Sequence, residues 1–195
     1  MDKIDIAKAL AAEFGGMHYG GIAILASMLT PFTIRKNERL VVEGEVCRYM
    51  YYVEQGIVRQ FYYKAGKDVT EHFSQEGGLV ICIESFLQQE PSRLMIEALE
   101  PSVLWGIPHD RFMHAVQAHA EMANFYCRIL EHALISSQRH ADSQRFETAM
   151  ERYLRLNSER PNVILRAPLI HVASFLQMTP ETMSRVRATL EARKA

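Results

Sequence analysis

Between Pro31 and Pro108 the chain carries eight short runs rich in β-branched and aromatic residues, at 32–35, 39–43, 49–54, 57–63, 68–74, 79–83, 93–98 and 102–107. Turn chemistry separates them: Gly44-Glu45, Gln55-Gly56, Ala65-Gly66-Lys67, Glu76-Gly77-Gly78, Glu90-Pro91-Ser92 and Glu100-Pro101-Ser102. Short strands at a spacing of about 8–12 residues indicate a sandwich, roll or barrel rather than an open α/β sheet. A count of eight suits a double-sheet jelly roll. Short helices are expected ahead of it at 4–14 and 22–29, around the Gly15-Gly16 and Gly20-Gly21 pairs.

Beyond Pro108 the pattern turns helical, and the one later strand signal is the stretch before Pro168. A short helix is expected at 109–117, a long one at 119–142, and a third at 144–157 closed by Arg160-Pro161-Asn162. Along the long helix Met122, Tyr126, Ile129, Ala133 and Ser136 recur in alternating steps of four and three, and Leu130 and Leu134 widen the stripe. Such a seam packs against the roll, a partner helix, or both. The fold class is α+β, with expected boundaries at 1–118, 119–143 and 144–195.

At 195 residues the chain can bury a sizeable core. Its longest apolar stretch, Ile22 to Leu29, is too short to span a bilayer, and Asp2, Asp5 and Glu13 precede it rather than a basic start. A cytoplasmic protein without membrane association is expected. Cys47, Cys82 and Cys127 lie far apart and are odd in number, which excludes a disulfide scaffold and any CxxC motif. The net charge of −1 conceals an asymmetry: residues 1–138 hold 12 Lys and Arg against 17 Asp and Glu, whereas residues 139–195 hold 10 against 6. A basic tail segment seeks polyanions or acidic surfaces.

The most informative segment is LIHVASFLQMTPETMSRVRATL, Leu169 to Leu190. Pro168 opens one helix, and Thr179-Pro180 restarts a second after Gln177-Met178. Thr179 is a good N-cap, Pro180 suits the first helical position, and Glu181 favours the positive end of the helix dipole. The inward positions, Val172, Leu176, Met178, Met183, Val186 and Leu190, are all apolar, and Ala173 is small where two crossed helices must approach. This is the spacing of a helix-turn-helix. Glu181, Ser184, Arg185 and Ala188 remain on the outer face of the second helix, where a recognition helix meets base edges. Arg185 can bond bidentately to guanine, Glu181 can accept from cytosine N4, and Ser184 can contact either strand's base. Thr179, Thr182 and Arg187 complete the expected DNA-binding set, and Arg187, Arg193 and Lys194 could meet phosphates.

Taken whole, about residues 20–195 resemble the cyclic-AMP receptor protein/FNR (Crp/Fnr) superfamily of bacterial transcription regulators. Two stretches carry the likeness. MYYVEQGIVRQFY, Met50 to Tyr62, looks like the family's strand–Gly–strand hairpin. PETMSR, Pro180 to Arg185, matches the FNR-type pattern Glu-x-x-Ser-Arg. The resemblance implies a cyclic-nucleotide-binding-like effector domain, a dimerisation helix and a C-terminal helix-turn-helix, in that order. It further implies a homodimer, a near-palindromic double-stranded DNA operator with FNR-like TGA half-sites, and RNA polymerase as a partner. Few residues follow the second motif helix, so the family's usual terminal wing is expected to be minimal.

In relatives that bind cyclic AMP a cassette reads Gly-Glu-Leu and, about ten residues later, Arg-Ser-Ala; the Glu takes the ribose hydroxyl and the Arg pairs with the phosphate. The matching stretch is LVICIESFLQQEPSRLMIEAL, Leu79 to Leu99. Anchoring on Phe86 places Ile81 and Cys82 at the Gly-Glu positions and Ser92 at the Arg position. Arg93 falls one residue off, and one step in a strand flips a side chain to the other face. A buried phosphate diester needs a cation or several N–H donors. The expectation is therefore that the roll does not bind cyclic AMP in the usual way, with Glu84, Ser92 and Arg93 as the candidate pocket residues for an unidentified small-molecule effector. No cysteine cluster precedes Cys47 for an iron–sulfur sensor, His72 is an isolated candidate haem ligand, and no HxH pair offers a cupin metal site. Cys82 reads as a small core residue.

The leading expectation is a homodimeric, sequence-specific transcription regulator. The first alternative is a ligand-binding or protein-interaction module whose tail no longer binds DNA. A jelly-roll enzyme ranks last: no Ser-His-Asp arrangement, Gly-rich phosphate loop or metal-ligand set supports it, so no catalytic or metal-binding residue is assigned.

Overall fold

The computed structural model describes residues 1–192. Two helices, α1 (Lys3–Glu13) and α2 (Tyr19–Met28), precede eight strands: β1 (Thr30–Ile34), β2 (Arg39–Val41), β3 (Tyr49–Gln55), β4 (Ile57–Lys64), β5 (Lys67–Gln75), β6 (Leu79–Val80), β7 (Met95–Ala98) and β8 (Ser102–Pro108). A short helix, α3 (Ile83–Gln88), lies between β6 and β7. The strands form two four-stranded antiparallel sheets, ordered β1-β8-β3-β6 and β2-β7-β4-β5. Their inner faces bury Met50, Val53, Val58, Ile96 and Leu104 as the main core.

Three local readings are corrected. MYYVEQGIVRQFY is not a hairpin, because β3 pairs with β8 and β6 whereas β4 pairs with β5 and β7. The chain instead turns from one sheet to the other at Gly56, whose φ of +105° suits glycine. A Cβ there would fall on the Ser102 hydroxyl. The run at 79–83 pairs only through Leu79 and Val80, opposite Tyr52 and Tyr51, before bending into α3. The apolar sequence Ile81-Cys82-Ile83 reads the same in a strand or a short buried helix. The strand signal before Pro168 belongs to a helix (α7, below) opened by Pro161, and the adjacent β-branched pair Val163 and Ile164 is buried in a second core.

Helices complete the chain: α4 (His109–Ala118), α5 (Ala120–Phe146), α6 (Ala149–Glu159), α7 (Pro161–Arg166), α8 (Leu169–Phe175) and α9 (Pro180–Ala192). Met122, Phe125 and Ile129 of α5 pack on the roll, but its second half leaves Leu134 71% and Ile135 52% exposed. Thr148 starts α6 with a capping box, its side chain accepting from the Glu151 N–H while the Glu151 carboxylate accepts from Thr148 N–H.

The last four helices do not form an isolated lobe. Their core of Tyr153, Leu156, Val172, Leu176, Met183 and Val186 is continuous with Ile57, Phe73 and Leu99 of the roll. Polar contacts fix this junction. Ser174 Oγ accepts from Thr70 N–H at 3.0 Å, and Arg160 donates to the Phe73 carbonyl at 3.0 Å. Arg166 bridges Glu76, at 2.7 Å, and Glu100.

Candidate nucleic-acid interface and effector region

The α8–α9 pair is joined by a turn whose geometry the backbone hydrogen bonds define. Met178 N–H reaches the Ala173 carbonyl and Gln177 N–H reaches that of Ser174, both at 3.0 Å. This is a Schellman motif with Gln177 in the left-handed position at φ +52°. Ala173 is fully buried where the two helices cross, and a larger side chain would separate them. Thr179 then caps α9: its hydroxyl accepts from Thr182 N–H at 3.2 Å, and its carbonyl accepts the first helical bond from Met183 N–H at 3.0 Å.

From that start the two faces of α9 separate. Met183 and Val186 are buried against α6 and α8, with Leu190 and Met178 half-buried beside them. Glu181, Ser184, Arg185, Arg187 and Ala188 are exposed, and Thr182 is half-buried. Arg185 Nη2 donates to the Thr182 hydroxyl at 3.2 Å, and the Thr189 hydroxyl donates to the Arg185 carbonyl at 2.9 Å. A hydrogen bond from the Thr179 hydroxyl, more than the nearby Arg185 charge, holds the Glu181 carboxyl below its ordinary range. Glu181, Ser184 and Arg185 thus stand together on one solvent-facing surface, with ionised groups of both signs. Arg193 and Lys194 lie outside the described residues.

In the effector region the candidate residues do not converge. Glu84 and Arg93 are exposed, whereas Ser92 is buried and donates to the Leu94 carbonyl at 2.8 Å. Glu84 lies in α3 and Arg93 in the segment entering β7, and both face water. Cys82 is buried, and Gln60 lies beside it, donating to the Ile81 carbonyl at 2.7 Å. The one buried arginine among the described residues, Arg59, lies next to Gln60 on β4 and so faces the other side of the sheet. It is already neutralised by Asp68 at 2.5 Å and Glu97 at 2.7 Å, and its guanidinium lies 4.0 Å from the Phe61 ring centroid.

Tyr126, Ile129, Leu130 and Ala133 of α5 meet Phe86 and Leu87 of α3 around an apolar cavity of about 20 Å³. That volume is about one water molecule, far below the 300 Å³ or more of a typical ligand pocket. Ser136 is half-buried and Ser137 exposed, further along α5.

Residues 31–119 match the family model described as the cyclic nucleotide-binding domain. Among solved structures the chain is similar to FixK2 from Bradyrhizobium japonicum, with 23% identity over 85% of this chain and 86% of that one and a TM-score of 0.74. It is similar to CLP of Xanthomonas campestris, described as a c-di-GMP-responsive global regulator, with 17% identity over 90% and 92% and a TM-score of 0.68. It is also similar to the Thermus thermophilus catabolite activator protein, with 18% identity over 95% and 88% and a TM-score of 0.58. These likenesses show the fold, a roll of the cyclic nucleotide-binding type followed by helices arranged as in these three structures. No curated protein sequence matches the chain significantly. Among the described residues no helix is long and apolar enough to cross a membrane.

Proposed function

We propose that this protein is a homodimeric, sequence-specific DNA-binding transcription regulator of the Crp/Fnr type, acting in the cytoplasm and not as an enzyme. The observation that carries the reading is the two-faced construction of α9. Glu181, Ser184 and Arg185 project from a capped helix start while Met183 and Val186 anchor it, so the helix can enter a major groove without unpacking. The α8–α9 pair then acts as the helix-turn-helix, with Thr179, Thr182 and Arg187 at the backbone and groove edge.

The exposed stripe of α5 supports the same reading, with two copies pairing through it. Cys127, Glu131, Leu134 and Gln138 lie on one exposed stripe, and Leu134 and Ile135 are large apolar groups that a partner helix would cover. On this reading a two-fold axis along the seam has to set the two recognition helices about 34 Å apart, and the operator is near-palindromic. RNA polymerase is the expected partner for an activating role. The roll does not take cyclic AMP by the usual phosphate and ribose contacts. Cys82 and Ser92 occupy the positions of the Glu and Arg, and Arg59 is committed elsewhere.

Selection of genomic fragments with the purified protein tests the proposal. Enrichment of a palindromic motif, with affinity that falls steeply as salt rises, supports it, because phosphate neutralisation releases counterions. Retention of no motif above random DNA contradicts it.

A further inference from the structure

The exposed face of α9 carries one acid and one base at a spacing that ordinarily joins them. Glu181 and Arg185 are four residues apart, and on an open helix such a pair binds side to side. The same spacing does so on α6, where Arg155 meets Glu159 at 3.4 Å. Arg185 takes a different partner. Its Nη2 donates to the Thr182 hydroxyl oxygen at 3.2 Å, and among the described residues no other acceptor reaches the guanidinium.

The local geometry prepares Thr182 for that contact. A helical side chain leans toward the N-terminus, so Arg185 lies over the residue three positions before it. Thr182 is half-buried and β-branched, which leaves its side chain few rotamers. Thr179 fixes it further: the two hydroxyl oxygens lie 3.3 Å apart, and the Thr182 N–H donates to Thr179 Oγ1 at 3.2 Å. The perch under Arg185 is thus tied to the cap that starts the helix. One turn beyond Arg185, the Thr189 hydroxyl bonds the Arg185 carbonyl at 2.9 Å and leaves the guanidinium alone.

The chemistry of the contact suits readout. A guanidinium has five N–H donors, of which Thr182 engages one. A guanine edge needs two, so enough remain. A neutral hydroxyl is also a weaker competitor than a carboxylate, which would occupy the same donors and hide both charged groups from the base edges.

We propose that Thr182 is a positioning residue that sets base selectivity: its hydroxyl holds the Arg185 guanidinium off the Glu181 carboxylate, so that both groups meet the groove unpaired. The proposal rests on the reading of α9 as the recognition helix. Holding a long side chain in place before DNA arrives reduces the freedom lost on binding. Without the hydroxyl the guanidinium moves freely and rests part of the time on Glu181, in a pair that exposure keeps weak.

The test compares the full chain with Thr182→Val, which keeps the shape and removes the hydroxyl, and with Thr182→Ser, which keeps the hydroxyl. Circular dichroism confirms that each variant is folded. In the absence of DNA, ¹⁵N relaxation of the Arg185 Nε–H group is expected to show an ordered guanidinium in wild type and Thr182→Ser and a more mobile one in Thr182→Val. Affinity is then measured for the selected operator, for the operator with the base pair read by Arg185 replaced, and for random DNA. Thr182→Val is expected to lose about three- to tenfold on the operator, to narrow the preference at that base pair by the same factor, and to leave random DNA unchanged. Thr182→Ser should restore the preference, and in an Arg185→Ala background Thr182→Val should cost nothing further. An equal loss on random DNA would make Thr182 a phosphate contact, and that result, or losses that add to those of Arg185→Ala, overturns the proposal. Unchanged Arg185 mobility in Thr182→Val overturns it while the regulator reading stands. A wild type with no preference at any base pair removes the regulator reading and the selectivity claim together, whatever the mobility of Arg185.

Discussion

The His140 imidazole on α5 stacks on the Phe175 ring of α8, with centroids 4.9 Å apart and planes inclined by 21°. Phe175 also meets Phe73 of β5 in a T-shaped contact, with ring centroids 5.3 Å apart. One side chain therefore touches the roll, the long helix and the base of the α8–α9 pair, the three parts between which a regulatory signal would have to pass.

Phe175→Ala is expected to cost about 2–3 kcal/mol, less than a fully buried phenylalanine because Phe175 is half-buried. It should also weaken the junction more than the roll. The single tryptophan, Trp105, lies in β8 and reports on the roll alone. In urea, helix loss followed by far-ultraviolet circular dichroism should then precede the Trp105 fluorescence change. Coincident transitions would show that Phe175 does not couple the parts.

Three histidines surround the same junction, His72 on β5, His140 on α5 and His171 on α8. Burial lowers all three, and His72 is pushed down to about 3 by burial and by the Arg160 charge. Glu71 opposes the shift at His140, and Asp68 and Glu97 oppose it at His171. The unfolded chain takes up these protons below about pH 6.5, while the folded chain resists them. Stability should thus be fully present above pH 7 and fall as pH drops from about 6.5 toward 4.5, with His72 contributing on the order of 1 kcal/mol per pH unit. Denaturation midpoints at a series of pH values check this. His72→Gln should flatten the slope, and an unchanged slope would count against it.

Gln177 occupies the left-handed turn position at φ +52° that glycine usually fills. Relief of the Cβ strain exceeds the added unfolded-state entropy only modestly, so Gln177→Gly should stabilise the protein by about 0.5–1 kcal/mol. Thermal denaturation reads the difference directly. A lower midpoint would mean that the Gln177 side chain contributes more than its backbone costs.

Much of α9 was legible in the sequence because its signals are local. A cap, a proline and an apolar period of three and four residues fix both the helix start and its buried face. The eight strands were legible for the same reason, through their turns. What was hidden depends on distant partners. Gln55-Gly56 signals a turn whether the chain folds into a hairpin or crosses between sheets, and only the pairing of β3 with β8 decides. Ile81-Cys82-Ile83 has no period long enough to separate strand from helix. Val163 and Ile164 favour a strand until Tyr153 and Leu156 of α6 offer them a helical packing partner.

The most direct measurement of the central claim compares wild type with Arg185→Ala on the selected operator and on random DNA of the same length, at one salt concentration. The account predicts a loss of about 1–3 kcal/mol on the operator, relaxed preference at the guanine it reads, and little change on random DNA. An equal loss on both would make Arg185 a phosphate contact and contradict the base-reading role of α9.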